Sequence, residues 1–358
     1  MLLVVLALFF SQTSPVAAPS PAEIFQSLRK LSRPSGSAVD EAEKKLFESG
    51  REALPWLHGA LGDPASVPVI VAARVLGRLK DPTSLDPLSK AFQRNLPPEA
   101  ARPCLEALFA VDPEKAPDLA LPLLDHKLPA VRVAAQDLLD GKLRSEQLPA
   151  LLALSRSSRD ETRTRALRLL GSFPGEGTLG RLTEAFSDLV PEVAAAAAEA
   201  TARNGDAKTE EKLTALIRES LPERRWGYAC LALAQRLARS KGGGAGAFPR
   251  EALRESLALK DPFVAGSSAV LLAQVGYGAP EGDDVSYLDR EVPDALIRTV
   301  GRNTFYKDLN SLLPLALRQL RLLAGESAPH SSSADWAAWW LENREKFRAK
   351  RGEEKKKP

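Results

Sequence analysis

The residues of this 358-residue chain that could do chemistry are three histidines, two cysteines and one dense acidic stretch. His58, His126 and His330 could each bind a metal or carry a proton. They lie far apart in sequence, each near the end of an expected helix or in a turn, so capping or surface roles are expected and no metal site. The stretch from Tyr277 to Asp294 holds Glu281, Asp283, Asp284, Asp289, Glu291 and Asp294, oxygens enough for calcium. Its spacing lacks the alternate acids followed by glycine of an EF-hand, and a solvated loop is expected. Lys241-Gly242-Gly243-Gly244 suggests a phosphate loop, but it follows a helix pattern and no Lys-Ser/Thr pair closes it. Ser172 sits in Gly-Ser-Phe-Pro-Gly rather than in a nucleophile elbow, and neither Cys104 nor Cys230 has a histidine nearby in sequence. The expectation is therefore no catalytic residue, no metal, no cofactor and no enzymatic activity.

What remains is an array of elements. Asp63 to Phe92 reads as two helices and a tight turn. Asp63-Pro64 supplies a capping carboxylate and a proline where a helix needs no N–H. Val69, Ala73, Leu76 and Leu79 follow helical spacing, and Asp81-Pro82 ends that helix and starts another with Leu85, Leu88 and Phe92 as its apolar side. Gly77 inside the first helix costs roughly 1 kcal/mol against alanine, which packing must offset. Two such short helices cannot bury their faces alone, but stacked copies can.

Copies recur. Aligned on one small residue of the helix that holds Ala73, the second helix of each stacked pair, they fall at Ala73, Leu105, Ala135, Ala166, Ala198, Ala229 and Ala269, at intervals of 32, 30, 31, 32, 31 and 40 residues. The last interval contains the glycine-rich insertion from Ser240 to Phe248. Three successive copies carry arginine three residues before the anchor, at Arg102, Arg132 and Arg163, which in a stack would form a ladder along one edge. Cys104 and Cys230 sit four repeat steps apart, about 36 Å at roughly 9 Å per helix layer, too far for a disulfide that needs Cα atoms within about 7 Å. Buried free thiols are expected.

The segments Val131 to Asp140 (VRVAAQDLLD), Glu161 to Phe173 (ETRTRALRLLGSF) and Val71 to Leu88 (VAARVLGRLKDPTSLDPL) resemble the HEAT repeats, in particular the short bacterial kind also found in phycobilisome-lyase-like proteins. They match that family's pattern of valine, arginine, two spacers, alanine and leucine. Ile70 and Trp226 stand at the arginine position and Leu105 at the alanine position, so the ladder is incomplete. The resemblance covers about two thirds of the chain. It implies an all-α fold, a right-handed superhelical solenoid of about seven stacked antiparallel helix pairs, and scaffolding roles.

Composition agrees with such a fold: aromatics make up 6 % and 27 prolines break the chain at short intervals. The net charge of +3, from 49 basic and 46 acidic residues, creates no long-range field, and no nucleic-acid partner is expected. The leader MLLVVLALFF is too short to cross a bilayer and precedes small polar residues, so residues 1–20 are expected to be a signal peptide and the protein to be extracytoplasmic, or anchored by an uncleaved leader. The expected plan continues with capping helices over 21–62, the repeats over 63–276 and the acidic loop over 277–294. Helices over 295–348 follow, ending on a cap with Trp336, Trp339 and Trp340 on one face, and then a disordered charged tail over 349–358.

On this reading the chain is a monomeric protein-protein interaction scaffold that binds a protein or peptide along a concave face, without spanning a membrane. Arg74, Arg78, Arg102, Arg132, Arg163 and Arg168 are the candidate contacts and would favour an acidic segment. The rival readings are a lyase or isomerase, which needs a tetrapyrrole-sized cleft with an acid or nucleophile, and a nucleic-acid enzyme, which needs a basic trough with aromatics and an aspartate.

Overall fold

The structure is a computed structural model, and it describes residues 19–204, 206, 208–219, 223–239, 249–277, 286–301, 309–325 and 333–348. Every regular element among them is helical, and the fold is an all-α stack of HEAT-like helix pairs. The chain divides into two compact units, Met1–Leu138 and Leu139–Pro358. The leader, the glycine-rich insertion, residues 278–285 of the acidic loop, His330 and the charged tail lie outside the described residues.

The first unit runs through α1 (Pro21–Leu28), α2 (Ser37–Glu48), α3 (Leu54–Ala60), α4 (Ser66–Leu79), α5 (Leu85–Ala91), α6 (Ala101–Val111), α7 (Ala116–Ala120) and most of α8 (Pro129–Leu139). Ser20 and Glu23 close a capping box on α1. The second helices α2, α4 and α6 pack side by side in one layer, while α3 and α5 flank them in another. Gly77 explains itself here: a Cβ at that position would lie 3.1 Å from the Ala107 Cα, so α4 and α6 touch almost backbone to backbone. Ala72, Ala73, Val75 and Leu76 on α4, and Cys104, Leu105 and Leu108 on α6, are fully buried.

The turns share one device. The Asp63 Oδ1 accepts from the Ala65 N–H at 2.9 Å and the Asp81 Oδ1 from the Thr83 N–H at 3.0 Å. In the second unit the Asp188 Oδ1 accepts from the Val190 N–H at 3.0 Å and the Asp261 Oδ1 from the Phe263 N–H at 2.8 Å. Each aspartate thus satisfies a backbone donor two residues on, which holds the entry angle of the next helix. An arginine of a neighbouring repeat then grips several of these aspartates: Arg29 on Asp63 at 2.7 Å, Arg51 on Asp81 at 3.0 Å and Arg163 on Asp188 at 2.9 Å.

The second unit contains α9 (Leu148–Leu154), α10 (Asp160–Leu170), α11 (Glu176–Glu184), α12 (Pro191–Arg203), α13 (Thr209–Glu219), α14 (Arg224–Arg239), α15 (Arg250–Ser256), α16 (Pro262–Tyr277), α17 (Glu291–Gly301), α18 (Leu309–Ala324) and α19 (Ser333–Asn343). The second helices α10, α12, α14 and α16 stack in order, with α9, α11, α13 and α15 each beside its own partner. A Cβ on Gly171 would meet the Ala200 Cα at 3.0 Å, so this layer too is held by close backbone approach. Beyond α16 the alternation ends: α17 and α18 both pack on α16, leaving that helix buried along nearly its whole length. A Cβ on Gly266 would fall 2.5 Å from Thr299 Oγ1 and 2.8 Å from Leu312 Cδ2, which shows how tightly both helices close over it.

One expected feature differs. Glu291 and Asp294 belong to the first turn of α17 rather than to a loop, because each is tied down: Glu291 by Arg254, and Asp294 by Trp340 at 2.7 Å and Arg344 at 2.8 Å. Acids are also favourable in a first helical turn. No helix among the described residues is long and apolar enough to cross a membrane.

Candidate functional site

The six arginines singled out by spacing do not form one surface. Arg74 is exposed, but its Nη1 donates to Glu43 at 3.0 Å and to the Pro34 carbonyl at 3.1 Å. Arg78 is exposed, with its guanidinium 4.2 Å above the Phe47 ring. Both tie α4 to α2. Arg102 is exposed and pairs with Asp137 and, at 3.7 Å, with Glu106.

Arg132 and Arg163 overturn the expected edge ladder. Arg132 is only 6 % exposed, and its Nη1 donates to the carbonyls of His126 at 2.8 Å and Lys127 at 3.1 Å. Arg163 repeats the pattern on Ser157 at 3.0 Å and Ser158 at 3.1 Å, and its other nitrogens form a two-pronged bond to Asp188. In each repeat the arginine folds back to the turn five and six residues before it, where helix packing leaves carbonyls without helical partners. A five-donor planar fork satisfies such a cluster better than water could reach it. These two side chains hold the turns and are not offered to a partner.

A stability prediction separates the two classes. Arg163→Ala, which strands Asp188 and two turn carbonyls at a site where the pair is 17 % and 15 % exposed, is expected to cost about 1.5–3 kcal/mol. Arg102→Ala, at an exposed pair, is expected to cost roughly 0–1 kcal/mol. Urea unfolding of both variants checks the ranking, and equal costs would refute the structural role assigned to Arg163.

Arg168 differs from the rest. It is exposed in the last turn of α10, and only its backbone carbonyl is used, as acceptor from Arg203 Nη2 at 2.7 Å. Arg203, in the last turn of α12, and Arg236 and Arg239, in the last turn of α14, were not among the expected contacts. The signal was present, since 168, 203 and 236 stand 35 and 33 residues apart, close to the repeat period applied to helix ends instead of to the anchor alanine.

The remaining candidate groups are structural. His126 Nδ1 accepts from the Leu128 N–H at 3.1 Å, so the proton sits on Nε2, which donates to the Phe92 carbonyl at 2.8 Å. His58 Nε2 lies 3.0 Å from the hydroxyl of buried Ser84. Burial holds the His58 pKa below the ordinary imidazole value, and the charge of Asp81 offsets part of that shift. The unfolded chain gains its proton near pH 6.5 while the folded form resists it, so this group's stabilisation is complete above about pH 6.5 and declines as pH falls. Hydrogen-exchange protection at α3 and α5, corrected for the pH dependence of the intrinsic exchange rate, is expected to fall between pH 7 and pH 5.5, and His58→Gln is expected to blunt that change. An identical pH response in the variant would exclude His58 as the source.

Cys104 and Cys230 are buried free thiols. Burial pushes the Cys104 pKa up to about 12 and that of Cys230 well above its ordinary value, so both stay protonated. Trp336 and Trp340 are buried and Trp339 half-buried against Phe347, whose ring it meets edge-on at 5.8 Å. Among the described residues no group of three or more His, Cys, Asp or Glu side chains is placed to hold a metal.

Two clefts open in the second unit. One, of about 310 Å³, lies between the turn before α16 and α17, with Ala258, Leu259, Pro262 and Ala265 as apolar wall and Lys260 and Arg298 at its edge. Its Thr299 hydroxyl donates to the Ala295 carbonyl at 2.8 Å. The other, of about 270 Å³, is lined by Glu176, Leu179, Asp206, Lys208, Glu211 and Lys212.

No family model and no curated protein matches the chain. Solved structures do. One is an engineered protein, 17 % identical over 92 % of this chain and all of its own, with a TM-score of 0.35. Another is human deoxyhypusine hydroxylase in complex with glycerol, 18 % identical over 84 % of this chain and 95 % of its own, with a TM-score of 0.27. The expectation that the chain has no enzymatic activity is corrected on this finding. An enzyme stands among the solved structures it is similar to. At these scores neither likeness says what this chain does.

Proposed function

We propose that the chain is a protein-binding repeat scaffold of the short bacterial HEAT kind, acting in an extracytoplasmic compartment as a monomer, and that it takes an acidic segment of a partner. The observation that carries this reading is the second-helix layer. Its shafts are locked together within each unit by close backbone approach, at Gly77 in the first and at Gly171 in the second, and each unit exposes charged side chains of its own there, Arg74, Arg78 and Arg102 in the first and Arg168 in the second. A surface held this rigidly loses little freedom when a partner docks, and differences among its exposed side chains set specificity. Export is supported by the apolar leader MLLVVLALFF, and kinship with the phycobilisome-lyase-like repeats by VRVAAQDLLD and ETRTRALRLLGSF.

Affinity capture from a bacterial envelope fraction tests the proposal, with the full chain beside an Arg74→Ala, Arg78→Ala, Arg102→Ala and Arg168→Ala variant. Specific proteins retained by the first and lost by the second are the expected result. Identical sets from both would exclude the arginines as contacts, and an empty set from the unmodified chain would remove the scaffold reading.

A further inference from the structure

We propose that the cleft between the turn before α16 and α17 receives the C-terminal residue of a partner protein, with its free carboxylate on Arg298 and its small apolar side chain against the alanine wall. The proposal rests on the protein-binding reading above and gives it a place and a partner chemistry.

The lining divides by chemistry. Ala258, Leu259, Pro262, Ala265 and Ala295 make one side apolar, Lys260 and Arg298 supply positive charge at the edge, and no carboxylate lines the cleft. Ala265, Ala295 and Thr299 are buried where α16 packs on α17, whereas Ala258, Leu259 and Lys260 are exposed on the turn, so the back of the cleft is fixed and its front open. The Thr299 hydroxyl spends its proton on the Ala295 carbonyl and offers a ligand no donor. Arg298 is different. It stands in the last turn of α17, and its Nη2 donates to the Leu257 carbonyl at 2.6 Å, which holds the guanidinium at the cleft before any ligand arrives. Its Nε and Nη1 have no partner among the described residues. Two acids flank the cleft in sequence, and neither pairs with Arg298: the Asp261 Oδ1 accepts from the Phe263 and Val264 N–H groups at 2.8 and 3.3 Å, and Asp294, one turn before Arg298, is held by Trp340 and Arg344.

Size and chemistry together select the ligand. A volume of about 310 Å³ stands at the low end of the ~300–1,000 Å³ of small-molecule sites, enough for one terminal residue and part of the next. A guanidinium with spare N–H donors binds a carboxylate through charge-assisted bonds. A C-terminal residue carries its carboxylate and its side chain on the same Cα, side by side as charge and apolar wall are here. An internal glutamate brings the charge without the apolar body, a phosphate leaves the wall uncovered, and an amine meets two cations.

The test measures fluorescence anisotropy of N-terminally labelled Gly-Ser-Ala-Leu-Val on the full chain, with the C-terminus free in one peptide and amidated in another. The free acid is expected to bind at least about ten-fold more tightly, and less tightly as salt rises. A third peptide, amidated and ending in glutamate instead of valine, is expected to bind no better than the amide. Binding of the free acid is expected to fall at least about ten-fold in Arg298→Gln and to recover in part in Arg298→Lys. Ala258→Trp, which fills the cleft from an exposed position on the turn, is expected to abolish it with helical circular dichroism and melting unchanged. Arg225→Gln, at an exposed arginine in the first turn of α14, leaves it intact. Equal binding of acid and amide, failure of the acid to bind, or binding insensitive to both Arg298→Gln and Ala258→Trp overturns the proposal. So does calorimetric binding of hexanoate that depends on Arg298 while the peptide acid stays unbound, which would assign the cleft to a free carboxylic acid. Envelope capture keeps the two ideas apart: the same partners on the unmodified chain and on Ala258→Trp leave the scaffold reading standing and remove this cleft.

Discussion

Trp336→Ala is expected to destabilise the second unit by about 3–5 kcal/mol, the largest loss at any single position considered. The indole is fully buried, with its ring 5.6 Å from that of Trp339 in an edge-on arrangement. It sits on α19, which packs against α17, and α17 in turn covers α16. Removing it leaves a cavity at the point where the array is closed, so the expected result includes faster hydrogen exchange in α16 and α17, not only in α19. The hydrogen bond is a separate matter. Trp336 Nε1 has no partner among the described residues, whereas Trp340 Nε1 donates to Asp294. Phenylalanine at either position removes the same ring volume, so Trp340→Phe is expected to cost about 1–3 kcal/mol more than Trp336→Phe, the penalty of depriving a carboxylate of a donor. A reversed order in thermal or urea unfolding would contradict the packing described for α19.

Leu170→Ala is expected to cost roughly 2–5 kcal/mol, and its effect should spread. Leu170 is fully buried at the end of α10, immediately before Gly171, whose backbone lies against Ala200 of α12. In a stack each repeat is stabilised mainly by its neighbours, so a cavity at one contact weakens the repeats on both sides. Exchange is expected to rise together in α9, α10 and α12 while α18 and α19 keep their protection. A change confined to α10, or one too small to measure, would mean that these repeats do not depend on one another as their close contact implies.

How much of this was legible beforehand follows from the range over which each feature is set. Asp63, Asp81, Asp188 and Asp261 bond backbone donors two residues away, and Gly77 and Gly171 recur at helix positions where a neighbour must come close. Such local signals, with the roughly 31-residue period, sufficed for helix pairs, turns and stacking. Glu291 and Asp294 misled because their partners Arg254, Trp340 and Arg344 lie 37 to 50 residues away. Without those partners an acidic run beside glycines reads as loop.

The arginines mark the division most clearly. Sequence alone determined that the chain is an all-α array of short repeats, and that arginine recurs in it at a regular interval. Only the tertiary structure decided what each one does. Arg132 turns inward to its own turn, Arg163 to its turn and to Asp188 of the next repeat, and Arg168, its side chain without a partner among the described residues, stands at a helix end that Arg203 then caps. A guanidinium goes where unpaired carbonyls and carboxylates are within reach. Where those groups lie is settled by how the repeats pack, not by the residues on either side of the arginine.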